Sequence, residues 1–283
     1  MEFSAFNLLD VEIHPFTIKQ FHRLMADAIH SERKIIIASQ NLHSVYLYHK
    51  NKNMRTLHQM AYKRIDGMPL ILWGRLLGLP LRKEQRVTWV DWIHPLMNEA
   101  AEKRWKVFYL GSKREVALRG IQHLKEKHPG LRIECTDGYF DTAPDCSQNR
   151  AKLKLIRKAH PDILVVGMGM PRQEKWVLDN FSHISAKVIL TCGAAMEYVA
   201  GEVENPPRWM GRMGLEWFYR LMGNPGRFWR RYLVEPWTLL PLFVKDTVHR
   251  NDCRQLKPYR PPVRAPGKHC INSVLRLRIR KQA

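Results

Sequence analysis

At 283 residues, 45% of them apolar, the chain is longer than one average domain and carries ample material for a packed core, which excludes wholesale disorder. Its formal net charge of +21 points to polyanionic partners: nucleic acid, anionic lipid or phosphorylated substrates. Five scattered cysteines without a CxxC pair, and histidines without HExxH or another compact spacing, speak against a disulfide framework and leave no metal site to assign.

The opening MEFSAFNLLDVEIH lacks the basic start and apolar stretch of a signal peptide. A helical stripe follows in Phe21, Leu24, Met25, Ala28 and Ile29. Strands are expected at 34–39 (KIIIAS), 106–110 (KVFYL), 131–135 (LRIEC), 162–168 (DILVVGM) and 187–192 (KVILTC). Between them, Ser112-Lys113-Arg114-Glu115 reads as a capping box before a helix striped by Val116, Ala117, Ile121 and Leu124. Pro171 falls in the first turn of the helix after DILVVGMG. Near-continuous apolar strands alternating with helices predict an α/β fold: a Rossmann-like, mostly parallel sheet with helices on both faces.

Near Asn205 the texture changes. From there to the end, 17 Lys or Arg stand against 4 Asp or Glu, a net +13 in 79 residues, leaving +8 for the preceding 204. The expected organisation is an α/β body at 1–204, a basic, aromatic-rich helical appendage at 205–250 and a flexible basic tail at 251–283. The appendage interleaves Trp209, Trp217, Phe218, Tyr219, Phe228, Trp229, Tyr232 and Trp237 with Arg208, Arg212, Arg220, Arg227, Arg230 and Arg231. Aromatics of this kind enter a lipid headgroup zone while guanidinium groups meet phosphates. An aromatic core with solvated charges, or base stacking with phosphate contacts, uses the same residue types. No segment reaches the roughly 18–20 apolar residues of a membrane span; the best, 237–244, is short and interrupted by Pro241.

Two strand-to-helix junctions are candidate phosphate sites: one at Gly111, the other running from Gly167 through Gly169 and Pro171 to Gln173 and Glu174. Neither matches the dinucleotide fingerprint or the P-loop, and a tight structural turn explains each as well. Asp66 stands before the apolar run MPLILWGRLLG, where a carboxylate can serve as general base. On the residues alone, a turn or N-cap aspartate is the favoured reading. Ser39-Gln40-Asn41 closes the first clear strand, positioned equally for substrate contact or for capping.

Taken together and in order, DILVVGMGMPRQEKW, VILTCGAAMEYVAGEVENPPRWMGRMGLEWFYRL and RFWRRYL, supported by RIDGMPLILWGRLLG, RVTWVDW and FYLGSKREVALRGIQHLKEKHPGLRI, resemble the WecG/TagA/CpsF glycosyltransferase family. The resemblance spans about four-fifths of the chain. It implies an inverting transferase that takes a UDP-sugar donor and an undecaprenyl-diphosphate-linked acceptor, without a cofactor or catalytic metal, at the cytoplasmic face of a membrane. It places the general base on Asp66, an acceptor-contacting hydroxyl on Ser39 with Asn41 beside it, and donor contacts on Gly167, Gly169, Pro171, Gln173 and Glu174. Asp91 persists from the family pattern, and Arg220, Arg227, Arg230 and Arg231 are expected to close over the diphosphate and meet an anionic membrane surface. Trp89 stands where the family has glycine, which suggests stacking on a pyranose ring. The segments VDW, VGMGMPRQ and RYLVEPW look closest to an exopolysaccharide, glucosyl-transferring branch, with an N-acetylmannosamine-type donor as the other option. A homo-oligomer is left open. The rivals are a nucleic-acid-binding protein, for which no recognised motif is present, and a dinucleotide-dependent oxidoreductase, against which the missing GxGxxG counts.

Overall fold

The computed structural model describes residues 4–204, 206–249 and 257–258. The chain opens with a hairpin, β1 (Ser4–Leu8) and β2 (Val11–Ile13), that the sequence reading did not anticipate. Its turn is Leu9-Asp10, both at positive φ, the geometry of a two-residue hairpin turn without its usual Asn-Gly signal. Six parallel strands follow: β3 (Ile35–Gln40), β4 (Tyr62–Ile65), β5 (Lys106–Gly111), β6 (Arg132–Thr136), β7 (Ile163–Gly167) and β8 (Val188–Thr191). Their order across the sheet is β4-β3-β8-β7-β5-β6. The expected doubly covered α/β sheet is therefore present, with β4 added.

Alternation along the strands splits the core into two layers. Ile35, Ile37, Val107, Tyr109, Val165 and Leu190 meet helices Ile18–His30, Trp89–Glu102 and Arg114–Lys127 through Phe21, Leu24, Trp92, Leu96 and Ile121. Ile36, Ala38, Phe108, Leu164, Val166 and Ile189 meet Leu57, Leu153, Ile156, Trp176 and Val177 on the other face. The predicted helix stripes, Val116 apart, lie in the first layer.

Two local expectations change. The helix Arg114–Lys127 begins without a side-chain cap; Ser112 sits at φ +53 and its hydroxyl bonds the Tyr109 phenol at 2.8 Å, so the capping box is not formed. Pro171 occupies the N-cap of helix Arg172–Asn180, one position ahead of the first turn, after a cis Met170–Pro171 bond.

The C-terminal region is helical, as anticipated, in short pieces: Arg208–Met213, Glu216–Gly223, Pro225–Trp229, a π-helical turn Arg230–Val234, Glu235–Thr238 and Leu240–Val248. It is not merely appended. Leu239 is buried in a third core with Phe6, Leu8, Ile13, Leu70 and Leu79, and Phe243 packs edge-on against Trp73 at 4.6 Å. Buried Asp246 accepts hydrogen bonds from Leu9 N and Trp73 Nε1. The 1–204 segment thus shares one core with residues 239–246. The expected flexible tail, 251–283, lies outside the described residues except for Lys257–Pro258, which pairs antiparallel with β1. The side chains of Arg208 and Arg212 also lie outside them.

Candidate active site

Strands β3 and β8 are neighbours in the sheet, with β4 beyond β3 at one edge and β7, β5 and β6 on the other side. In open parallel sheets ligands bind beyond the carboxyl ends of the strands, at such a reversal of strand order. Two adjoining chambers open there. The larger, about 810 Å³, is walled by Ser39, Asp66, Trp89, Gly169, Met170 and Gly193 from the body and by Arg220, Arg227, Phe228, Arg230 and Arg231 from the C-terminal helices. The smaller, about 290 Å³, lies between Gly67, Met68, Pro69 and Arg86 on one side and Glu216, Trp217, Tyr232 and Pro236 on the other. Asn41, His43, Asp66, Arg220 and Arg231 border both.

Asp66 follows β4 directly, its N–H bonded to the Gln40 carbonyl at 2.8 Å. Its carboxylate is 21% exposed and pairs with Arg64 Nη1 at 3.2 Å. The Ser39 hydroxyl is engaged within the protein: it donates to the Thr191 carbonyl at 3.3 Å and accepts from Arg64 Nη2. Asn41 caps the helix Leu42–Lys50, its Oδ1 accepting from Ser44 N at 3.0 Å. The capping alternative therefore holds for its carboxamide oxygen.

Glycine positions divide by role. Gly111 and Gly167 are register partners on β5 and β7; a Cβ at Gly111 would stand 2.4 Å from the Gly167 carbonyl oxygen, so their smallness serves strand packing. Gly169, at φ +79, brings backbone to the larger chamber. Gly111, Gly167, Pro171, Gln173 and Glu174 are not among the residues lining either chamber. Gln173 and Glu174 are fully buried and act one layer back: Gln173 Oε1 accepts from Gly193 N at 3.1 Å, and its Nε2 donates to Glu174 Oε1 at 2.8 Å. Burial raises the Glu174 pKa to about 7, against the hydrogen bond from Gln173.

Asp91 also works from behind the wall, accepting from Thr88 Oγ1 at 2.9 Å and Arg86 Nη2 at 3.0 Å. Arg86 in turn donates to Glu216 at 2.9 Å, tying the body to the C-terminal helices beside the smaller chamber. Trp89 differs from expectation. It is buried, its Nε1 donates to the Thr191 carbonyl, and its ring lies against Arg64 and Trp92, so no free face is offered to a pyranose.

Arg220, Arg227, Arg230 and Arg231 all line the larger chamber. The Nε atoms of Arg220 and Arg231 are buried without a hydrogen-bond partner. Arg220 lies over the Tyr198 ring at 5.5 Å. Burial lowers the pKa of Arg231, with Tyr232 opposing and Arg220 adding repulsion. Two apposed guanidinium groups with unused donors form a seat for an anion. Residues that the sequence does not single out complete the walls: Arg86, His43 and Glu235, the last two paired at 2.6 Å. Arg64, fully buried, lies behind them. Among the described residues no three His, Cys, Asp or Glu side chains converge as metal ligands.

Comparison with known proteins places the chain in a family. The family model described as glycosyl transferase WecG/TagA/CpsF matches residues 6–252. A Bacillus subtilis (strain 168) protein named N-acetylglucosaminyldiphosphoundecaprenol N-acetyl-beta-D-mannosaminyltransferase is 32% identical over 174 residues, covering 60% of this chain and 64% of that protein. A Bacillus spizizenii protein of the same name is 30% identical over 173 residues, with 60% and 63% covered. A Staphylococcus aureus (strain MW2) protein, again of that name, is 25% identical over 209 residues, 70% of this chain and 78% of its own length. The match spans just under two thirds of the Bacillus proteins. None of these three names carries the glucosyl or exopolysaccharide reading. With a family model covering most of its length and the strand-end site in place, the chain belongs to the WecG/TagA/CpsF glycosyl transferase family.

Proposed function

We propose that the protein is an inverting glycosyltransferase that moves a sugar from a UDP-sugar to an undecaprenyl-diphosphate-linked acceptor at the inner face of the plasma membrane. The observation that carries this reading is the shared wall: Asp66 borders both chambers, with Arg220 and Arg231 beside it. The larger chamber has room for a nucleotide sugar; the smaller admits the acceptor. The Asp66 carboxylate takes the proton of the acceptor hydroxyl as that oxygen attacks the anomeric carbon. The bond from that carbon to the diphosphate breaks on the opposite face, and UDP departs with the bonding electrons. Arg220 and Arg231 lie where the leaving charge develops. The relatives' names favour an N-acetylmannosamine-type donor, in place of glucose and exopolysaccharide assembly.

The C-terminal helices expose Trp209, Trp217, Trp229, Trp237, Leu233 and Leu240 beside the arginines, a composition suited to an anionic lipid surface. Among the described residues no helix is long and apolar enough to cross a membrane. Orientation of Arg220 and Arg231 into the chambers favours a small phosphorylated ligand over nucleic acid.

Asp66→Asn tests the assignment. It should keep the fold and UDP binding while lowering turnover roughly 10²-fold or more. Turnover near the parent's would remove Asp66 from the role of base.

A further inference from the structure

Arg64 lies in β4 with none of its surface exposed. A guanidinium in that position must find both an anion and hydrogen-bond acceptors. Strand geometry supplies them. Residues 64 and 66 are two apart and point to the same side, and Arg64 is the register partner of Ser39 on β3. Nη1 accordingly reaches Asp66 Oδ1 at 3.2 Å and also donates to the Val87 carbonyl, while Nη2 donates to Ser39 Oγ. Two indoles cover the group: the Trp89 and Trp92 rings lie 5.2 and 5.4 Å from its central carbon. Trp89 is itself pinned by its bond to the Thr191 carbonyl. Trp89 thus has a physical task, sealing the guanidinium from the chamber.

We propose that Arg64 is the positioning residue of the Asp66 carboxylate, holding Oδ1 in the wall and leaving Oδ2 for the acceptor hydroxyl. This rests on Asp66 being the base. Arg64 touches neither substrate; it acts by fixing the rotation of the carboxylate, and Ser39 serves as its second anchor. A planar fork does this where a single ammonium does not, because two diverging donors are needed at once. Small misplacements of a reacting group cost large factors in rate.

A double-mutant cycle on the full chain tests the proposal. Arg64→Gln should lower turnover roughly 30-fold with UDP affinity within about twofold of the parent. In an Asp66→Asn background the same change should lower the residual rate by less than about threefold, because no base is left to position. Equal losses in both backgrounds, or a UDP affinity that falls as far as turnover, would overturn it and mark Arg64 as structural support. If Arg64→Gln does not fold, Arg64→Lys decides: a clear loss of turnover at unchanged UDP affinity supports the fork, and retention of more than half the parent rate overturns it. A parent-like Asp66→Asn rate, by contrast, would mean that the base assignment itself is at fault.

Discussion

The two halves of this site are built on different principles. In the body, β3, β7 and β8 are buried at every position, and the strand ends that carry Ser39, Asp66 and Gly193 inherit their rigidity from that packing. In the C-terminal half, the four consecutive pieces from Glu216 to Thr238 contain no buried residue. Their position depends on a few anchors: Leu239 and Asp246 in the third core, Arg86–Glu216, and His43–Glu235. The contrast suits the two tasks proposed for the site. A base must be held within a fraction of an ångström, whereas cations that close over a diphosphate must also let it go. By burial, the C-terminal half opens at a lower free energy than the sheet.

Substitutions at the anchors break that contrast most strongly. Leu239→Ala should cost about 3 kcal/mol, read as a lowered unfolding midpoint, because it hollows a core shared by the hairpin and the last helices. Trp237, only two residues away but 68% exposed, gives the opposite outcome: Trp237→Ala should change stability by less than ~0.5 kcal/mol and weaken sedimentation with anionic vesicles. Cutting the chain near Asn205 cannot separate these effects, since it removes Leu239 from the core along with the exposed indoles.

A quieter test concerns the body's inner layer. The folded pKa of Glu174 is raised to about 7 from 4.5, so the native state binds the extra proton between those values. Stability therefore falls as pH rises from about 4.5 to 7 and levels off above, a loss of roughly 3 kcal/mol in all. His58, fully buried and lowered to about 3 chiefly by burial with Lys63 adding, contributes the opposite slope between about 3 and 6.5. The measurement is therefore a difference. Glu174→Gln, which mimics the neutral acid, should gain stability relative to the parent on moving from pH 5 to 8. A constant difference across that range would place the ionised form, and with it the Gly193 turn, in a better solvated setting.

The sheet was legible because its inner strands are apolar runs that pattern alone identifies. β4 was not, because YKRI places Lys63 and Arg64 in the core. Each finds a partner distant in sequence: Lys63 pairs with Glu12 at 3.2 Å and Arg64 with Ser39, Arg64 also reaching Asp66 two residues on. The hairpin escaped notice for a similar reason, its turn being Leu9-Asp10. At the site, the strand-end positions of Ser39 and Gly169 follow from alternation of elements, and the four arginines from their clustering; Asp66 reads only as a carboxylate at an element boundary, because β4 before it is not legible. The roles of Gln173, Glu174 and Asp91 do not, because a polar residue beside a ligand and one bracing the wall behind it look the same in one dimension. Arg86 and the His43–Glu235 pair were hidden by contacts spanning 130 and 192 residues.

In the proposed function one ligand seat is shared, with the body providing the base and the C-terminal half the cations for the leaving diphosphate. Calorimetric titration of UDP into a variant carrying both Arg220→Ala and Arg231→Ala tests it most directly. Affinity should fall by roughly 30-fold or more, as expected for losing two charged hydrogen-bonding groups, while the unfolding transition of the sheet is kept. UDP binding within twofold of the parent's would place the diphosphate elsewhere and contradict the shared seat.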